Sequence, residues 1–231
     1  MSTMYYQSIL NSISEKEKLL AILIDPDCFN NDEVQLFLKQ IPKETTHLFV
    51  GGSTVVNTAT EATVEALKKK SSLPVFLFPG DYSQITNKAD ALLFLSLFSG
   101  RNPEYLIGQQ VKAVSELKKS SLEVISTGYI LIDGENISAV ERVSGTKPMS
   151  QNDIEAIVNT ALAGEYLGAK LIYLEAGSGA KNAVSTSIIK AVKEAISIPL
   201  IVGGGIKTAA QKQEVYNAGA DLIVMGTAFE D

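Results

Sequence analysis

Eight short apolar runs recur along this chain of 231 residues, and they restrict its fold more than any other feature. They are LLAILID (19–25), HLFVGG (47–52), VFLF (75–78), ALLFLSLF (91–98), EVISTGYILI (123–132), LIYLE (171–175), PLIVGG (199–204) and DLIVMG (221–226). Most are continuous rather than alternating. A strand that is apolar on both faces must be covered on both faces, as in a parallel sheet flanked by helices. Helical spacing fills the intervals. Ile154, Ile157, Val158, Ala161 and Leu162 make one face, with Ser150 as the expected N-cap and Asp153 three residues on. In RNPEYLIGQQVKAVSELKK, Asn102 is expected to cap, Pro103 to take the first turn, and Ile107, Val111, Val114 and Leu117 to form the apolar face. Val184, Ile188, Val192 and Ile196 form another such face, and Thr208 with Gln211 marks a further helix start. Weaker faces follow Asn31 and Ser53, and the weakest helical pattern follows Gly80.

Eight strands alternating with helices predict an α/β protein, a (β/α)8 TIM barrel formed as a single domain by residues 1–231. A doubly wound open sheet is the rival arrangement. The sequence stops at GTAFED, just past the eighth strand, so the barrel is expected in a modified form with its final helix missing from this chain. A hydrophobic content of 45% is enough for a sizeable core. The net charge of −6 argues against a broad nucleic-acid surface but leaves room for a small anion site. Cys28 has no second cysteine to pair with, and no cysteine cluster exists for zinc. The N-terminus lacks a signal-peptide pattern, and no apolar run reaches the ~18 residues of a spanning helix. A cytoplasmic protein is expected, with peripheral membrane contact left open.

Barrel chemistry sits at the carboxyl ends of the strands. Those ends read IDPD, GGST, FPGDY, SLFSGRN, the strand carrying Tyr129, YLEAGSG, GGGIKT and GTAFED. Glycine lets backbone approach a ligand, and N–H groups in such turns bind anions. The last three loops therefore predict a phosphate site. Asp25 and Asp27 are hard oxygen donors suited to Mg²⁺ alongside substrate phosphates, or caps of the next turn; spacing alone supports both equally. GGST offers the hydroxyls of Ser53 and Thr54, or a helix cap. His47 belongs to the opposite, stable end, as a packing residue. With no other histidine in the chain, acid–base work falls to a carboxylate, Tyr or Lys, and Glu175 and Tyr173 are the candidates.

Together LIDPD, FVGGST, FPGDYSQI, SGRNPEYLIGQQV, TGYILIDG, YLEAGSGA, VGGGIKT and ADLIVMGTAFE resemble the geranylgeranylglyceryl phosphate synthases, in order, from about residue 19 to the end. The longer form of that family, with GSG after YLEA, fits better than the shorter bacterial heptaprenyl form. The resemblance implies a modified TIM barrel and a Mg²⁺-dependent prenyltransferase. Its reaction joins the C3 hydroxyl of sn-glycerol 1-phosphate to a prenyl diphosphate, usually geranylgeranyl, and releases diphosphate. It implies a homo-oligomer, a dimer or a hexamer. By resemblance, Asp25 and Ser53 are the metal-linked positions. Glycerol phosphate falls to Tyr173, Leu174, Glu175, Ala176, Gly177, Ser178 and Gly179, to Gly203, Gly204 and Gly205, and to Gly226 and Thr227. Glu175 matches the general base, Tyr129 a tyrosine near the glycerol, and Arg101 a contact for diphosphate. The shorter form carries a lysine where this chain has Leu23, so a phosphate contact by that lysine does not transfer.

A carboxylate at the lip of an anion site is out of place for phosphate but well placed to accept from an alcohol. The amides of Gly179, Gly204 and Thr227 are the expected phosphate donors. An apolar trough for the prenyl chain is sought among Phe76, Phe78, Phe94, Leu95, Leu97 and Phe98, with most of these expected in the core and Phe78 the foremost trough residue. The alternatives on the same scaffold are a phosphosugar isomerase or aldolase, for which Lys181 and Lys207 are the nearest lysines, and a phosphate-binding barrel without catalysis.

Overall fold

The computed structural model describes residues 3–53 and 57–226. Eight parallel strands close into a barrel in chain order: β1 (Leu19–Ile24), β2 (His47–Val50), β3 (Val75–Leu77), β4 (Ala91–Leu97), β5 (Glu123–Leu131), β6 (Leu171–Glu175), β7 (Leu200–Gly203) and β8 (Leu222–Met225). β8 returns to pair with β1 through Leu19↔Leu222 to Ile22↔Met225, so no edge remains open. The open-sheet rival is excluded by that pairing. Thr54, Thr227 and the residues after it lie outside the described residues.

Two apolar layers result. Leu19, Ala21, Phe49, Phe76, Leu93, Ile125 and Leu171 fill the barrel interior, where Phe49 and Phe76 stack at 5.7 Å. Their strand neighbours Leu20, Ile22, Leu48, Leu92 and Ile172 face outward into the helix layer. That layer comprises α2 (Val34–Gln40), α3 (Asn57–Lys70), α4 (Gln109–Leu117), α5 (Ala139–Ser144), α6 (Ile154–Tyr166), α7 (Thr186–Ala195) and α8 (Ala209–Ala218). Both faces of each strand are therefore apolar.

A helix not expected from the sequence, α1 (Met4–Ser14), packs across the amino-terminal mouth. Its first amides find an acceptor in the barrel itself. Tyr5 N–H donates to Glu123 Oε2 at 2.7 Å and Tyr6 N–H to Glu123 Oε1 at 2.9 Å, while the Tyr5 hydroxyl donates to Asp90 at 3.0 Å. The buried carboxylates at this end hold strand starts in the same way. Asp90 accepts from Val75 N–H (2.8 Å), and Asp221 accepts from Leu200 N–H (2.8 Å) and Lys193 Nζ (2.6 Å). Acidic residues at this end of the barrel are structural.

Several local expectations shift. α8 has the anticipated capping box between Thr208 and Gln211, and α7 with its flanking residues buries Val184, Ile188, Val192 and Ile196 as read. α6 begins later than expected: Met149 is held extended by a bridge to Ile132, so Asp153 rather than Ser150 caps, accepting from Ala156 N–H at 3.1 Å. Ahead of α4 a π turn over Glu104–Gly108 rotates the helix. The face that packs inward is Gln110, Ala113 and Leu117, leaving Ile107 59% and Val111 65% exposed. The weak pattern after Gly80 is no α-helix at all: β3 and β4 are joined through a three-residue 3₁₀ turn, Tyr82–Gln84, capped by Asp81.

His47 opens β2 with its ring against Phe49 and Phe76 and its Nδ1 2.8 Å from Thr46 Oγ1. Burial pushes its pKa down to about 4. The unfolded chain binds that proton near 6.5 and the folded chain does not, so stability falls as pH drops from about 6.5 to about 4, by about 3 kcal/mol in full. Denaturant unfolding across this window is expected to show His47→Phe losing less stability than the parent by that amount; parallel curves would contradict it.

Candidate active site

The strand tips enclose one cavity of about 280 Å³ at the carboxyl rim. Asp25, Ser53, Tyr129, Glu175, Gly177, Ser178, Gly204, Gly205 and Gly226 all line it, although they come from six different strands or the loops after them. Pairing sets their levels: Tyr129 stands beside Tyr173, and Glu175 beside both Leu131 and Gly203. On β6 the pleat points Leu171, Tyr173 and Glu175 toward the barrel axis and sends Ile172, Leu174 and Ala176 to the helix layer. Leu174 and Ala176 can thus reach a ligand only through backbone, and the Ala176 N–H already donates to Gly203 at 3.1 Å.

Glu175 is 7% exposed. Its Oε1 accepts from Gly177 N–H at 2.7 Å, so this amide serves the carboxylate rather than a phosphate. Burial raises the Glu175 pKa, and the Tyr173 hydroxyl and Gly177 N–H oppose that rise. The result is a carboxylate more basic than one in water. The Tyr173 hydroxyl is buried beside it without a well-aligned hydrogen bond of its own. Tyr129 and Tyr173 both have raised pKa values, through burial first and then through Glu175, and so stay protonated. With Phe78 they form an aromatic floor, ring centres 5.3–6.1 Å apart.

Glycine is required around this carboxylate. A Cβ on Gly203 would lie 2.4 Å from the Tyr173 hydroxyl, and one on Gly204 2.4 Å from Glu175 Oε1, where the backbone also takes φ +81°. The N–H groups of Gly204 and Gly205 donate to no described residue. Both residues line the cavity, and backbone N–H groups so placed can form an anion cradle. Gly179 stands outside the lining, but its peptide is oriented by Asn136, whose Nδ2 donates to Ser178 O at 3.1 Å.

Across the cavity, Asp25 and Ser53 stand at the tips of β1 and β2. Asp25 Oδ1 accepts from Asp27 N–H at 3.0 Å, an Asx turn that fixes the carboxylate. No trio of His, Cys, Asp and Glu gathers among the described residues. This donor set fits Mg²⁺ only as a cation shared with substrate oxygens, which is how Mg²⁺ is usually held. Arg101 turns back on its own loop, donating to Phe98 O (3.1 Å) and Gly100 O (2.7 Å), outside the cavity lining.

The missing helix after β3 lengthens the cavity into a trough. Phe78, Phe94, Leu95 and Leu97 line it, more than expected, whereas Phe76 is core and Phe98 packs against Gly128 and Gly164. Tyr105 and Gln110 from the π turn and α4, and Val140 and Val143 from α5, complete the walls. These were not picked out from the sequence, since only the π turn and the fold of the long loop after β5 bring them round. α5 is tied down by Asn102 Nδ2 donating to Ser144 O (2.8 Å) and the Tyr105 hydroxyl to Val143 O (3.2 Å).

Residues 10–231 match the model of the PcrB family. The geranylgeranylglyceryl phosphate synthase of Zunongwangia profunda is 55% identical over 97% of this chain and 96% of its own. The enzyme of that name from Pyrococcus furiosus is 42% identical over 94% and 86%. Among solved structures, (S)-3-O-geranylgeranylglyceryl phosphate synthase from Thermoplasma acidophilum, in complex with its substrate sn-glycerol-1-phosphate, superposes with TM-score 0.87 at 34% identity, covering 97% of this chain and 91% of that one.

Glu175→Gln keeps an acceptor for Gly177 N–H but removes a group that can take a proton; with Glu175 as the expected general base, turnover is expected to fall by about 10²–10⁴. Because the folded pKa of Glu175 is raised, its contribution to stability is lost as pH rises through that value, so the variant should melt no lower than the parent at pH 8. Near-parental turnover would remove Glu175 as the base. Gly204→Ala, strained at φ +81°, should lose about 1–3 kcal/mol of stability and weaken glycerol phosphate binding, both measurable by melting and calorimetry.

Proposed function

This chain belongs to the geranylgeranylglyceryl phosphate synthase family, the PcrB family, and from that membership we propose that its rim cavity transfers a prenyl group to the C3 hydroxyl of sn-glycerol 1-phosphate. The observation that carries this reading is the placement of a buried, basic carboxylate between an amide cradle and an acidic strand tip, all in one cavity that opens into an apolar trough. Family membership also displaces the isomerase, aldolase and non-catalytic alternatives.

The two ends of glycerol phosphate have opposite needs. Its phosphate is taken by the Gly204 and Gly205 amides, with Gly226 and the Ser178–Gly179 turn around them. Its hydroxyls face Glu175, which accepts the C3 proton as the oxygen attacks. Glu175 also stabilises positive charge developing on the allylic carbon, since fixed charge acts most where charge forms in a dry site. Tyr129, Tyr173 and Phe78 exclude water beneath the reacting atoms. The prenyl chain runs outward over Phe78, Phe94, Leu95 and Leu97 toward α4 and α5, each buried CH₂ contributing about 0.8 kcal/mol. Asp25 and Ser53 are the residues that would hold Mg²⁺ on this side of the cavity, and the ion would supply charge neutralisation for the leaving diphosphate. Holding both substrates in one cavity removes much of the entropic barrier to their meeting.

Geranylgeranyl diphosphate is the proposed donor. Self-association into a dimer or hexamer is supported by the exposed apolar Tyr166 and Leu167 at the end of α6. A peripheral membrane contact is supported by exposed Ile107 and Val111, on the segment that walls the trough. No described helix is long and apolar enough to cross a membrane, and a cytoplasmic setting is proposed on composition.

With Mg²⁺, sn-glycerol 1-phosphate and geranylgeranyl diphosphate, the expected products are prenylated glycerol phosphate and diphosphate, detected by mass spectrometry. Asp25→Asn is expected to lower turnover roughly 100-fold or more, since a metal-bound leaving group is worth several kcal/mol. Folded protein yielding no prenylated product, or retaining full rate in chelator, would overturn the respective parts of this reading.

A further inference from the structure

The connection between β3 and β4 has no α-helix, yet one of its residues is among the most deeply buried polar side chains of the molecule. Gln84, at the end of the 3₁₀ turn, is 1% exposed. Its amide makes two backbone contacts. Oε1 accepts from Gly80 N–H at 3.0 Å, and Nε2 donates to Gly52 O at 2.9 Å. It therefore staples the tip after β3 to the tip after β2. The two tips are in tight contact: a Cβ on Gly80 would fall 2.5 Å from Gly52 O and 2.8 Å from Ser53 Cα.

The Gly52 carbonyl and the Ser53 N–H belong to one peptide unit. In a trans peptide they point in opposite directions. No peptide bond of the described chain is cis. Drawing Gly52 O back onto Gln84 therefore turns the Ser53 N–H away from Gln84. This N–H donates to no described residue, and Gly52, Ser53, Gly80 and Asp81 all line the cavity while Gln84 does not.

We infer that Gln84 is a positioning residue for the diphosphate end of the site: from outside the cavity it sets the orientation of the Gly52–Ser53 peptide, so that the Ser53 N–H and hydroxyl present together to a diphosphate. This rests on the prenyltransferase reading, which assigns that side of the cavity to diphosphate. The Gln84 amide bridges an N–H and a C=O at once, so neither Glu nor Met reproduces it. Glutamate keeps the acceptor for Gly80 but faces Gly52 O with a second acceptor. Methionine fills the space with no polar partner.

The test compares parent, Gln84→Glu, Gln84→Met and Gly80→Ala, the last pushing on the same contact from the other side. Each is measured by steady-state kinetics with both substrates and by calorimetry with inorganic pyrophosphate in Mg²⁺ and, separately, with sn-glycerol 1-phosphate. Folding is checked by melting. Gln84→Glu and Gly80→Ala are expected to raise KM for the prenyl diphosphate and Kd for pyrophosphate about 5–10-fold, the effect of losing an ordinary hydrogen bond, with glycerol phosphate binding moved by less than about twofold. A Gln84 that only supports folding would lower the melting temperature and leave the ratio of the two KM values unchanged, and that result overturns the inference. Failure of the parent to bind pyrophosphate or form product would instead overturn the functional reading on which it rests.

Discussion

Parallel closure of β8 onto β1 is the constraint on which the molecule depends, because it sends all eight carboxyl ends to one rim and removes every sheet edge. Asp25 and Gly226, near opposite ends of the chain, become walls of one cavity. The same closure places the carboxylates of Asp90, Glu123 and Asp221 at the other end, where they accept from backbone N–H groups of strand starts and of α1. Acidic residues at the two rims thus stand in different surroundings. Those at the amino end are paired and hold structure, whereas Glu175 at the carboxyl end has a single amide partner and a raised pKa.

The Glu175 carboxylate is a compromise between two demands. Burial raises its pKa and so favours proton uptake. The Gly177 amide and nearby Tyr173 hydroxyl keep it from being neutralised outright. Gly203 and Gly204 are needed because any side chain there would occupy the space of the carboxylate or the phenol. The glycines of this rim therefore leave volume for an acid, and their backbone stays open to the cavity.

The missing helix after β3 is equally specific. The described connections after β1, β2, β4, β5, β6 and β7 carry helices; here Phe94 and its neighbours stay open to the cavity, and a 3₁₀ turn with a buried glutamine takes over the task of holding the loops. The cavity thereby gains an apolar extension lined by Phe78, Phe94, Leu95 and Leu97.

The strands, the barrel and the glycine tips were legible in the sequence because doubly apolar runs and glycine turns follow from local rules of burial and backbone freedom. Glu175, Asp25 and Ser53 could be picked out by their place at strand ends and by resemblance. α1 was not legible, since what stabilises it is Glu123, remote in sequence. The buried face of α4 was misread because a π turn shifts its register, and the trough was underestimated because an absent helix leaves no positive pattern. By itself the sequence determined which segments are strands and which of their tips are rich in glycine and polar groups, since those depend on neighbours along the chain. Only the tertiary structure decided which amides remain open, which carboxylate is basic and where an apolar chain would lie, since those depend on what closure brings alongside.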